Sequence, residues 1–113
     1  MDERVFQELA AEAFRAIGDA LDAVDADLVD FDSAGDVITL TLRRTHKCVV
    51  NTQRAAGQIW LAAHARAWHF SWNPSVGRWL DDKGNGDELL ATIARIVESA
   101  SGVELAFRHR TST

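Results

Sequence analysis

Ile38, Leu40 and Leu42 alternate with Thr39 and Thr41, and the same period of two returns twice downstream. In residues 58–63 it sets Ile59 and Leu61 against Gln58, Trp60 and Ala62. In residues 67–72 it sets Trp68, Phe70 and Trp72 against His69 and Ser71. Successive side chains of a strand point to opposite sides of its sheet, so this spacing demands a sheet with one buried face. Hairpin-length links between the stretches make that sheet mainly antiparallel. An antiparallel sheet can leave its second face in water. On that face fall Asn51, Gln53, Gln58, Trp60 and His69, a large aromatic in a polar, uncharged setting. The composition suits a docking surface, and equally a tryptophan that only covers its neighbours.

The remaining elements supply the cover. Phe6, Leu9, Ala13, Ile17, Leu21 and Val24 recur at three- and four-residue steps, which predicts an amphipathic helix over residues 2–25. Leu89, Leu90, Ile93, Ile96 and Val97 predict a second helix ending near Ala100. Asn85 and Glu88 have capping-box spacing at its start, and Gly102 stops it. Short strands are expected at residues 28–32, at 48–51 and around Trp79, with a last one through Val103, Leu105 and Phe107. The order gives an α+β two-layer sandwich, with N- and C-terminal helices packed on one face of a mainly antiparallel sheet of six or seven strands. At 113 residues the chain holds one domain, expected over residues 1–107, and a short polar tail at 108–113.

Charge is unevenly distributed. Residues 1–36 carry eleven acids against Arg4 and Arg15, whereas residues 37–113 carry six acids against ten lysines and arginines. Glu8, Glu12, Asp19 and Asp22 fall within roughly 80° of one another around the first helix, opposite its apolar stripe. The row reads as a solvated helix face or as a cation surface. No lysine lies in this part of the chain to form the usual i,i+4 pairs. Like charges at that spacing cost roughly 0.2–0.5 kcal/mol each. Asp25, Asp27, Asp30 and Asp32 continue the series, and period two sets Asp30 and Asp32 side by side. Hard cations take oxygen ligands of this kind. EF-hand spacing is missing, so a metal site here is expected to be open, weak and solvated.

Several classes are disfavoured. An acidic front repels nucleic acid and attracts cations or basic protein surfaces. No apolar run approaches the roughly 20 residues that cross a bilayer. The acidic first residues suit neither a secretory signal nor a transit peptide, so a cytoplasmic location is expected. Cys48 is the single cysteine and reads as a packed strand residue. His69 reads as a surface hydrogen-bonder, with no second histidine or cysteine at ligand spacing. Residues 51–79 show no nucleophile, phosphate loop or thiolate metal site, and the chain has no di-iron Glu-x-x-His motif on a helix, so no enzymatic activity is expected.

Taken in order, these residues resemble the frataxin family in its bacterial, CyaY-type form. The resemblance covers nearly the whole chain: an acidic first helix, an acidic edge strand and the alternating run after Val37. Asn51-x-Gln53, Gln58-Ile-Trp-Leu-Ala62, Trp68-His-Phe70 and a strand centred on Trp79 follow in the family's order. The Asn-x-Gln…Gln-Ile-Trp-Leu signature is the specific part. Arg43 and Arg44 depart from it, standing where bacterial members often place an acid and an Asn-Gly turn. The resemblance implies the same sandwich, and weak binding of Fe2+ and Fe3+ on surface carboxylates. It places the ridge at Glu12, Asp19, Asp22, Asp25, Asp27, Asp30 and Asp32. It implies docking on the cysteine desulfurase and scaffold of iron–sulfur cluster assembly through Asn51, Gln53, Gln58, Trp60 and His69. The protein would then be an iron donor or regulator, a monomer open to iron-induced oligomerisation. A metal-independent acidic interaction module is the alternative.

Overall fold

The structure is a computed structural model that describes residues 1–107; the expected polar tail at 108–113 lies outside the described residues. Helix α1 spans Glu3–Asp22, with Asp2 as its N-cap accepting from the Arg4 amide at 3.2 Å. It buries Phe6, Ala10, Ala13, Ile17, Ala20 and Leu21. Leu9 and Val24, expected on that stripe, are only half-buried; Val24 lies beyond the helix, which stops at Asp22.

Six strands follow: β1 (Val29–Ala34), β2 (Val37–Leu42), β3 (His46–Gln53), β4 (Gln58–Ala63), β5 (Arg66–Asn73) and β6 (Arg78–Asp81). Each pairs antiparallel with the next, so spatial order repeats sequence order. Helix α2 spans Leu89–Ser101 and ends on Gly102 at φ 78°, a left-handed conformation that glycine adopts without a Cβ clash. Both helices contribute to a single core with the inner sheet face: Ile17 and Leu21 from α1, Ile93 and Val97 from α2, Leu40, Leu61 and Phe70 from the sheet. Phe6 meets Trp79 edge-to-face at 5.9 Å, and Trp72 meets Trp79 at 5.5 Å. Trp72 is on the expected inner face but only partly buried.

Two local expectations are corrected. Val103, Leu105 and Phe107 form no strand; residues 102–107 have no regular structure, and among the described residues the sheet has six strands. Their alternation is real, since Leu105 is buried and Val103 and Phe107 pack partly against the core, but no ladder accompanies it. The cap of α2 is Glu88, whose carboxylate accepts from the Leu90 and Ala91 amides at 3.0 Å each. Asn85 instead closes an Asx turn on the Asp87 amide at 2.9 Å and donates to Asp81 at 2.9 Å.

Candidate functional site

Register assembles the outer face. Asn51 on β3 lies opposite Trp60 on β4, Trp60 lies opposite His69 on β5, and Gln53 lies opposite Gln58. All five residues expected to dock are therefore brought onto one patch of three neighbouring strands, each half-buried. The rings of Trp60 and His69 stack at 4.3 Å with 21° between their planes. Gln58 fixes the indole edge-on: its Oε1 accepts from Trp60 Nε1 at 2.9 Å. Its amide nitrogen donates to Ser71 Oγ and to Asp82 Oδ2, both at 3.1 Å. His69 Nδ1 lies 3.9 Å from the same Asp82 oxygen. The Trp60–His69 stack is thus held in place by its neighbours.

Two acids that sequence reasoning missed hold this patch from behind and from the side. Asp81 is buried and accepts from the His69 amide at 3.1 Å and from Asn85 at 2.9 Å. Asp82 bridges Gln58 and His69 from the end of β6. Continuing the alternation past Trp79 would have pointed Asp82 outward; nothing local announced Asp81.

The acidic residues lie at the other edge. Asp19 and Asp22 are exposed on α1, Asp25 and Asp27 lie in the connection, and Asp30 and Asp32 are exposed on β1. Glu12 is half-buried two turns before Asp19. The last turn of α1 has no basic residue, so the negative end of the helix dipole adds to Asp19 and Asp22. Asp25 Oδ1 accepts from the Asp27 amide at 2.9 Å, and Asp27 pairs with the Arg44 guanidinium at 3.1 Å. Among the described residues no group of three or more His, Cys, Asp or Glu side chains converges to hold a metal ion. The ridge is an open line of carboxylates.

Ridge and platform share a surface. Asp30 and Asp32 stand opposite Thr41 and Thr39 on β2, on the sheet face that also bears Trp60. β1 and β4 are three strand spacings apart, about 14 Å. A standard protein interface covers that span. Cys48, by contrast, is wholly buried on the inner face, and burial pushes its thiol up to about 12. A thiol so placed is neither nucleophile nor ligand at neutral pH. No helix among the described residues is long and apolar enough to cross a membrane.

Two helices over one face of a six-strand meander, with an acidic edge and a polar face centred on a stacked tryptophan, define an α+β sandwich of the frataxin type. Residues 1–103 match the frataxin-like domain, and the chain belongs to the frataxin family. It is 34% identical over 114 residues to the iron-sulfur cluster assembly protein CyaY of Delftia acidovorans, covering 97% of this chain and all of that one. It is 35% identical over 109 residues to the protein of that name from Dechloromonas aromatica, covering 96% and 100%. The solved frataxin of Psychromonas ingrahamii superposes with a TM-score of 0.86 at 29% identity, over 96% of this chain and all of that one. Trimeric yeast frataxin complexed with ferrous iron shares the fold, with a TM-score of 0.66 at 23% identity over 91% and 88% of the two chains.

Proposed function

We propose that this protein serves iron–sulfur cluster assembly as an accessory that binds iron weakly on the ridge and docks on the cysteine desulfurase and its scaffold. The names of its bacterial relatives support the process. The observation that carries the mechanism is the shared outer face, where Asp30 and Asp32 edge the sheet that presents Trp60. One partner surface can touch both and so sense whether the ridge is loaded. Carboxylate oxygens suit Fe3+, and Fe2+ less strongly. Mutual repulsion among exposed acids at a helix C-terminus is relieved by a bound cation. No turnover is needed. Iron is cargo, and Asp19, Asp22, Asp30 and Asp32 hold it through an exchangeable water shell.

Anaerobic calorimetry with Fe2+ tests the reading. Changing Asp19, Asp22, Asp30 and Asp32 together to Asn is expected to weaken iron binding at least tenfold; unchanged affinity overturns the ridge assignment. The open, unclustered ridge favours a second reading, a metal-independent acidic module that pairs with a basic partner surface. Salt titration of desulfurase binding with and without iron separates the two. Iron-independent, steeply salt-sensitive binding supports the second.

A further inference from the structure

Two exposed histidines meet at the sheet end formed by the β2–β3 and β4–β5 turns. His46 is the first residue of β3, and His64 opens the two-residue turn after β4. Their ring centroids are 5.7 Å apart with 56° between the planes. His64 has φ 53° and Ala65 φ 63°, so the turn is of the primed type that matches hairpin twist. That backbone fixes where His64 stands relative to the neighbouring strand. Both side chains are open to solvent.

We propose that His46 and His64 form a paired-imidazole site for a borderline divalent ion such as Zn2+, separate from the carboxylate ridge. An ion about 2.0–2.1 Å from one nitrogen of each ring sets the ring centroids roughly 4.5–6 Å apart, depending on the bond angle. The observed 5.7 Å lies within that range. Thr45 Oγ1 is 3.0 Å from His46 Nδ1, which orients this ring and leaves Nε2 for a ligand. Metal-bound imidazoles are likewise oriented by a hydrogen bond at the second nitrogen.

Each nearby cationic head group has another partner, but only Arg44 is neutralised by an acid, so the charge of the others weakens the site without blocking it. Arg43 donates to the Ser101 carbonyl at 3.1 Å and Arg44 pairs with Asp27. Lys47 donates to Thr41 at 3.2 Å, and the Arg66 guanidinium lies 4.6 Å from the Trp68 ring centre. Imidazole nitrogen selects Zn2+, Ni2+ or Cu2+ over Mg2+ or Ca2+, a discrimination much weaker on an all-carboxylate surface. With two protein ligands the ion keeps water in its remaining positions and exchanges readily.

Calorimetric titration of the full chain with Zn2+ tests this, using His46→Gln and His64→Asn, the latter because asparagine tolerates a left-handed turn position. The expected result is one zinc equivalent, at least tenfold weaker in each variant. Long-range 1H–15N spectra should shift at the two imidazoles. The Asp30→Asn/Asp32→Asn and His69→Gln variants should bind zinc like the original chain. Zinc affinity unchanged from the original chain in His46→Gln and His64→Asn, or loss of the site in the Asp30/Asp32 variant, would overturn the proposal.

Discussion

Trp60 lies flat on His69, and Gln58 ties the indole of the first to the Asp82 carboxylate that flanks the second. The stack stands on the solvent side of the sheet, so it contributes little to the core behind it. Trp60→Ala is expected to cost about 1 kcal/mol or less, the scale of a cross-strand pair. Desulfurase binding should weaken roughly 30-fold or more, as for an interface tryptophan worth 2 kcal/mol. Urea denaturation and a binding isotherm on the same sample check both numbers. A grossly unfolded variant would place Trp60 in the core.

Removing the ridge charges should make the metal-free protein more stable. Asp19 and Asp22 crowd the negative end of α1 with no base in the last turn. Their replacement by Asn, together with Asp30 and Asp32, is expected to add about 1 kcal/mol. For a domain of this size that is roughly 4–8 °C in Tm. Added iron should raise the Tm of the unaltered protein and leave the variant unchanged, since a ligand stabilises only the state it binds.

Cys48 gives the molecule an alkaline weakness. Its thiol ionises near 9.0 when unfolded and at about 12 when buried in the sheet. The folded form therefore holds the proton more tightly, and stability is undiminished below pH 9. It then falls by about 1.4 kcal/mol per pH unit until about pH 12. Cys48→Ala should flatten this slope while lowering stability below pH 9, because it leaves a cavity. Denaturant midpoints between pH 8 and 11 report the difference.

Glu88 should be the residue that starts α2. Glu88→Ala is expected to cost about 1–2 kcal/mol and to speed hydrogen exchange at Leu90 and Ala91, whose amides it holds. Asn85→Ala should leave those two amides protected and loosen the turn at Asp87 instead.

What could be read from the sequence was what repeats. Alternation assigned Ile38, Leu61 and Phe70 to the core and Gln58, Trp60 and His69 to the other face, since a strand has only two sides. It misled at Val103, Leu105 and Phe107, because an irregular segment lying on a core can bury every second residue without forming a ladder. The α2 cap was misplaced by one turn because Asn85 and Glu88 fit the same spacing rule, and only three-dimensional contacts separate an Asx turn from a cap. Long-range partners were not legible at all. Arg43 reaches the end of α2 across 58 residues, and Trp68 Nε1 reaches Asp87 at 3.2 Å. Nor did spacing announce the His46–His64 pair, which lies on two different hairpins.

The meander has a consequence for how such a protein changes over generations. Along each central strand, neighbouring residues answer to different demands: Ile59 and Leu61 to packing, Trp60 between them to whatever the outer face meets. A substitution at Trp60 or His69 changes the outer face while the hydrophobic layer one residue away stays as it was. The character of the outer face and foldedness can therefore drift independently within a segment of six residues, provided the register of the hairpins is kept.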